Sequence, residues 1–208
     1  EAALAASRMG ASTLLLTGNI DTIAQMSCNP AIGGVAKGQI VREIDALGGA
    51  MGQAIDATGI QFRMLNRSKG PAVWSPRAQA DKLEYSRFMR EVLEAQENLD
   101  ILETSAEAIV VEPASHGRMR VRAVRTADGN EIPTRSLILT TGTFLRGLMH
   151  MGDDRVHGGR SGEPAALGLS AALHDLGFEL GRLKTGTPPR LLRDSLDVSR
   201  FEAQPGDE

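Results

Sequence analysis

The sequence is short of the residues that most often announce a function. It has one cysteine in 208 residues, Cys28, so no internal disulfide can form, and a reducing compartment, the cytoplasm, is the expected setting. The four histidines, His116, His150, His157 and His174, are scattered, and none stands at metal-ligand spacing from another histidine or from the cysteine, so no metal is expected. Aromatic residues make up only 3% of the chain, which leaves Trp74 as the one tryptophan able to stack on a base or to pack in a core. No stretch approaches about 18 consecutive apolar residues, so no membrane span is expected. The first residues, EAALAASRMG, have no signal-peptide layout and no initiator methionine, and read as a chain beginning inside a helix. There is no Walker loop, no Ser-His-Asp layout, no internal repeat and no low-complexity tract.

What is present has the balance of a soluble globular protein, 41% hydrophobic and 24% charged, long enough to bury a core without staples. One large domain, or a domain with part of another, fits this length. The net charge of −3 conceals clusters. Between residues 60 and 90 lie Arg63, Arg67, Lys69, Arg77, Lys82, Arg87 and Arg90 against Asp81 and Glu84 alone. A second basic run has Arg182, Lys184, Arg190 and Arg193, and the stretch from Asp194 onward is acidic. Such clusters mark either a polyanion site or a solvated face balanced by charges elsewhere.

The order of elements points to an α/β fold. Residues 1–9 predict the end of a helix with Gly10 as its cap, and STLLLT (12–17) predicts a buried strand of a parallel sheet. Residues 18–36 read as a long loop. KGQIVREIDALGG (37–49) predicts a helix with Ile40, Val41, Ile44 and Leu47 on one face and Gly48 at its end. GIQFRMLN (59–66) suits a strand and RSKGPAVWSP (67–76) a loop. Ser75-Pro76 reads as the cap and first turn of a helix running to Asn98, buried through Tyr85, Phe88, Met89, Val92 and Leu93. Strands follow near 100–112 and 118–126, then a turn at ADGN (127–130), a strand at SLILTTGT (136–143), a glycine-rich loop over 147–162, a helix over 164–176 and an extended FELGRLKTG (178–186). This order fits a nucleotide-binding domain with an interrupted parallel sheet, whose ligand edge carries Gly18–Asn19 and Thr140–Thr143. The phosphate-cradling glycine loop of such a fold precedes its first helix, and is expected to lie before the first residue of this chain.

Several blocks carry a resemblance. The run from TLLLTGNIDTIAQMSCNPAIGGVAKGQIVREIDALGG through RSKGPAVWSPRAQADK, then LILTTGTFLRG (137–147), GGRSGEPAA (158–166) and GRLKTGTPPR (181–190), resembles in order the N-terminal part of the MnmG (GidA) family of tRNA wobble-uridine modification flavoproteins. The resemblance implies a glutathione-reductase-like, FAD-binding Rossmann-like domain truncated at both ends, covering 1–183, with 184–208 opening an inserted second domain. It implies an enzyme that uses FAD, NADH and methylenetetrahydrofolate to build an aminomethyl or carboxymethylaminomethyl group on C5 of the wobble uridine of tRNA. It further implies a homodimer that joins a GTPase partner, MnmE, in a heterotetramer, and a fragment that binds FAD weakly and is inactive alone.

Residue by residue, the resemblance assigns catalysis to Cys28 in SCNPAIGG. A thiolate adding at C6 of uracil makes C5 nucleophilic, so a cysteine suits C5 chemistry. The alternative is an inert buried thiol. Pro30, Gly33 and Gly34 are expected to let backbone approach a flat ligand. Cofactor contacts fall on Thr140, Thr141, Gly142 and Thr143, with mainly backbone contacts near Ala106 and Ala166. TLLLT ends in Thr17-Gly18-Asn19 with no acid to hold a ribose before Asp21, where many dinucleotide folds have one. RSKGPAVWSPRAQ reads either as an RNA-facing loop or as a flavin cover with Trp74 packed inside. Substrate contacts are assigned to Asn29, Lys69, Arg77, Lys184 and Arg190. Two alternatives remain at this point: a folate- and FAD-dependent tRNA uracil-5-methyltransferase, and a non-catalytic RNA- or flavin-binding module.

Overall fold

The computed structural model describes residues 1–207. In chain order its elements are α1 (Ala2–Arg8), β1 (Thr13–Thr17), β2 (Ala31–Gly33), α2 (Lys37–Ala46), α3 (Met51–Thr58), β3 (Gly59–Leu65), β4 (Ser75–Ala80) and α4 (Lys82–Glu94). They continue with β5 (Leu99–Glu103), β6 (Ala106–Pro113), β7 (Met119–Thr126), β8 (Glu131–Pro133), β9 (Leu148–Met151), β10 (Asp154–His157) and α5 (Gly168–Asp175). The chain divides into two compact units. One comprises Glu1–Leu14, Asp21–Asp100 and Lys184–Glu208, the other Leu15–Ile20 and Ile101–Leu183.

β1 pairs with β5. The Thr13 N–H donates to the Asn98 carbonyl (2.9 Å) and the Thr104 N–H to the Thr17 carbonyl (2.8 Å), so the two strands run in the same direction. This is the parallel pairing expected of the apolar TLLLT run, but the strand is half-buried rather than buried, with Leu14 40% exposed, and the protein is an α/β fold. The other sheets are antiparallel: β2-β4-β3, β6-β7-β8 and the β9–β10 hairpin.

In the first unit, the core is built from Leu4 of α1, Ala54 and Ile55 of α3, Ala78 and Ala80 of β4, and Tyr85, Met89 and Leu93 of α4. The last three recur at i, i+4 and i+8, the inner stripe of an amphipathic helix. Glu1 caps α3 from a distance, its carboxylate accepting the N–H groups of Ala50 (3.0 Å) and Met51 (2.5 Å). The apolar face of α2 is only partly covered, Ile40 being 54% exposed and Leu47, just past its end, 90%. In the second unit, Ala123 and Val124 of β7 and Leu169 and Leu173 of α5 are buried, with α5 packed on β6.

Several sequence expectations are corrected. Ser75-Pro76 opens a strand, not a helix. Ser75 is fully buried and its hydroxyl donates to the Val73 carbonyl (3.1 Å), so it is not free to cap. The cap is Asp81, which accepts from Leu83 N (3.0 Å) and Glu84 N (3.2 Å). The long loop 18–36 contains β2, and α3 lies where no helix was expected. The single strand expected near 100–112 is two, β5 and β6, and the glycine-rich 147–162 loop contains the β9–β10 hairpin. The helix expected over 164–176 begins only at Gly168. SLILTTGT is irregular: no strand among the described residues pairs with it, and Ile138 is 63% exposed. An apolar segment becomes a strand only by sharing a ladder. FELGRLKTG is likewise without regular structure.

Candidate functional site

The expected site residues sort into the two units. Cys28, Asn29, Lys69, Arg77, Lys184 and Arg190 belong to the first, and Ala106, Thr140, Thr141, Gly142, Thr143 and Ala166 to the second.

In the first unit Cys28 is exposed, on the loop that leads into β2, with Asn29 exposed beside it. The exposure removes the reading of an inert buried thiol. The loop is held at both ends. Arg190 Nη2 donates to the Ser27 carbonyl (3.1 Å), and the Ala80 N–H to the Pro30 carbonyl (2.6 Å). Arg190, from the KTGTPPR block, thus reaches the residue preceding Cys28 from 163 positions away. No sequence signal joins the two.

The glycine pair of SCNPAIGG has a different use from the one expected. Gly33 has φ +90°, and a Cβ there would stand 2.2 Å from the Pro76 carbonyl oxygen. The Gly34 N–H donates to that same oxygen at 2.8 Å. Gly33 therefore lets β2 close on β4, and only Gly34 has open space beside it. Across the sheet Gly33 faces Arg77, and Arg77 faces Arg63 of β3, so two cations lie side by side. Lys69 is exposed in the 3₁₀ turn Arg67–Lys69, and Lys184 is exposed. Trp74 is 44% exposed, and its indole N–H donates to the Arg67 carbonyl (3.2 Å), so it is not packed inside.

In the second unit, two of the quoted blocks fold onto each other. Thr143 Oγ1 donates to the Gly159 carbonyl (2.6 Å) and the Gly158 N–H to the Gly147 carbonyl (3.1 Å). Ala166 N–H donates to Phe144 O (2.9 Å), and Ala166 O accepts from Arg146 N–H (2.9 Å). Ala166 therefore lies beside the Thr140–Thr143 turn. Both of its backbone groups are engaged within the chain. Arg160 lies 5.6 Å from the centre of the Phe144 ring and makes a two-pronged pair with Glu163 (2.5 and 2.8 Å), which fixes the turn. Gly142 has φ +55° and open space beside it. Among the described residues, no group accepts from the backbone N–H groups of Thr140 through Thr143. A turn with open N–H groups suits the polar atoms of a dinucleotide. Ala106 opens β6 opposite Thr126, and its neighbour Glu107 lies against Gly168 at the start of α5.

One acid escaped sequence reasoning. Glu103, at the carboxyl end of β5, accepts from the Ile20 N–H (2.8 Å), just past the carboxyl end of β1. Its carboxylate ties the chain past β1 to the end of β5, a contact that only the β1–β5 pairing reveals. Among the described residues no cluster of three or more His, Cys, Asp or Glu side chains is placed to hold a metal, and no helix is long and apolar enough to cross a membrane.

The fold is α/β, with an exposed cysteine on an anchored loop in one unit and a Thr-Thr-Gly-Thr turn with open amides in the other. Comparison with known proteins narrows it. The family described as glucose inhibited division protein A matches residues 1–208, and the chain belongs to that family. The tRNA uridine 5-carboxymethylaminomethyl modification enzyme MnmG of Rhodopirellula baltica is 57% identical over 213 residues, covering 100% of this chain and 33% of that protein. The MnmG of Geobacter sulfurreducens is 57% identical over 208 residues, covering 100% and 32%. The chain thus spans about a third of the length of the curated relatives it matches. The solved structure of Aquifex aeolicus GidA matches with a TM-score of 0.91 and 55% identity over 99% of this chain and 33% of that one. The GidA-related protein of Thermus thermophilus, at 18% identity and a TM-score of 0.55 over 86% of this chain and 64% of that one, shares the fold alone.

Proposed function

We propose that this chain serves an FAD-dependent enzyme that builds an aminomethyl or carboxymethylaminomethyl group on C5 of the wobble uridine of tRNA. The observation that carries the reading is Cys28, exposed on a loop whose backbone a distant arginine holds, in a member of a family whose relatives bear that activity in their names.

The Cys28 thiolate adds to C6 of the uracil ring, opening the C5–C6 double bond and moving its electrons to C5 and the O4 carbonyl. C5 then attacks the carbon of an iminium formed from the one-carbon unit and an amine, and the C=N π pair moves to the nitrogen, which stays on as the amine of the product. Loss of the C5 proton and departure of the thiolate from C6 restore the double bond. Asn29, beside Cys28, offers an amide donor and acceptor to the base edge. Lys69, Arg77, Lys184 and Arg190 supply the cations for the anticodon-loop phosphates, and a single-stranded loop lets the uridine leave its stack at modest cost.

The turn Thr140–Thr143, with Ala106 and Ala166, is the part of this chain that would hold FAD. When bound, FAD supplies hydride chemistry, with NADH as the reductant and methylenetetrahydrofolate as the carbon source. Residues 1–183 form the FAD-binding domain in this reading, and 184–208 open a second one. The enzyme is cytoplasmic, dimeric and joined by the GTPase MnmE. The test is to express the complete gene in cells lacking their own enzyme and to analyse tRNA nucleosides by mass spectrometry. Return of the modified wobble uridine supports the reading, and an unmodified or merely 5-methylated uridine sinks it.

A further inference from the structure

The outer edge of β3 carries an ionic contact that the proposed chemistry does not use. β3 is the last strand of the β2-β4-β3 sheet, so one of its edges has no strand partner. Residues 204–207 lie along that edge. Asp207 N–H donates to the Phe62 carbonyl (2.8 Å), and Gln61 Nε2 donates to the Gln204 carbonyl (2.9 Å). One carboxylate oxygen of Asp207 accepts from the Met64 N–H (2.6 Å) and pairs with the Arg67 guanidinium (2.8 Å). Arg63 is held alongside by the Gln204 side-chain oxygen (2.9 Å).

We propose that the Met64 N–H and the Arg67 guanidinium form an anion site for a phosphate group of single-stranded RNA, with Asp207 as its internal stand-in. The inference rests on RNA being the substrate, and adds a subsite to that reading. Three observations support it. No acidic residue occurs between Asp56 and Asp81, while Arg63, Arg67, Lys69 and Arg77 do, so the carboxylate that binds here comes from about 140 positions away. One oxygen receives both an N–H and a guanidinium, an arrangement a phosphate oxygen accepts equally well. And the exposed Trp74 is tied to the same turn through the Arg67 carbonyl, so a stacking ring stands beside the anion site. The Arg67–Asp207 pair is itself weak: Arg67 is 63% exposed, and such pairs are screened by salt and exchange with competing anions.

The test titrates the complete protein with a fluorescent oligouridylate of about ten nucleotides, a length that covers one ordinary single-strand site. Anisotropy reads binding. Asp207→Asn is expected to tighten binding about two- to fivefold, the worth of removing one exposed competing pair. Asp194→Asn, which removes the same charge elsewhere in the acidic stretch, leaves affinity unchanged. Arg67→Ala weakens binding and lowers the slope of log K against log salt by about 0.7, and Arg67→Lys keeps that slope, which separates charge loss from misfolding. Equal effects of Asp207→Asn and Asp194→Asn, or an unchanged slope in Arg67→Ala, overturn the assignment. Inorganic phosphate that binds Asp207→Asn while oligouridylate affinity is the same in wild type and variant assigns the site to a free anion, and overturns the RNA source. A chain that binds oligouridylate but ignores all these changes refutes the subsite alone. A complete protein that binds no RNA under any condition refutes the RNA substrate itself.

Discussion

Replacing Gly33 with alanine tests how the Cys28 loop is anchored. The new Cβ would lie 2.2 Å from the Pro76 carbonyl oxygen and 3.2 Å from the Arg77 Cα, both backbone atoms with no rotamer to give way. β2 must therefore draw back from β4 by about 1 Å, since non-bonded atoms settle at about 3.5 Å. That withdrawal breaks the 2.8 Å bond from Gly34 N–H to Pro76 O and loosens a pairing only three residues long. Each lost backbone bond costs about 1 kcal/mol. Alanine at φ +90° adds about 1–2 kcal/mol of backbone strain. The sum is about 2–4 kcal/mol, a large share of the stability of an ordinary domain. Gly34→Ala is the matched control, because Gly34 has φ +100° but no atom near its missing Cβ, so only the strain of about 1–2 kcal/mol applies. Urea unfolding followed by Trp74 fluorescence reads the first unit alone, since Trp74 is the only tryptophan and lies in it. Equal destabilisation by the two substitutions would falsify the close approach of β2 to β4.

Three further outcomes are expected. Asp81→Ala removes the acceptor for two N–H groups of α4 and should cost about 1 kcal/mol in the same urea assay, with Asp81→Ser recovering most of it. Tyr85, the only tyrosine, is pushed up to about 12, chiefly by burial and secondarily by the Glu1 charge. Its neutral phenol stabilises the fold fully below pH about 10, the unfolded value, and that contribution drains away as pH rises toward 12. Tyrosinate absorbance of the native chain should lag that of the unfolded chain across this window, and Tyr85→Phe should flatten the stability profile there. Glu131 is held below the usual carboxylate range by hydrogen bonds from Arg125 first and Arg122 second. The β7–β8 contact it makes is therefore complete above the ordinary glutamate range and lost as pH falls through the lowered value, which an NMR titration of Glu131 against a Glu131→Gln control reads directly.

The sequence reveals elements whose pattern is local. TLLLT, KGQIVREIDA and GIQFRML form where apolar spacing and flanking glycines place them. It misleads where a distant partner decides the outcome. Ser75-Pro76 has the local chemistry of a helix start, but Gln39 donates to the Ser75 hydroxyl (3.3 Å) and β3 takes the segment into a sheet. SLILTTGT has the composition of a buried strand and no strand to pair with among the described residues. α3 is short and weakly patterned, and its N-terminal amides are satisfied by Glu1, 49 residues upstream in the chain.

The candidate site divides in the same way. Cys28 and Thr140–Thr143 are singled out by the resemblance of their blocks more than by residue type alone. The Arg190–Ser27 bond, the use of Gly33 against Pro76 and the carboxylate of Glu103 are products of tertiary contact and leave no local trace. Yet the blocks that mark the resemblance are the ones that meet. GGRSGEPAA folds onto LILTTGTFLRG, and KTGTPPR holds the SCNPAIGG loop.

The nucleophile is tested most directly by one substitution. Cys28→Ala is introduced into the complete gene, expressed beside wild type in cells lacking their own enzyme, and tRNA nucleosides are measured by mass spectrometry while the purified proteins are checked for bound FAD. Modified wobble uridine with wild type and none with the variant, at equal FAD content, is the predicted result. Equal modification by both would show that the thiol takes no part in the chemistry and that SCNPAIGG serves only to shape its loop.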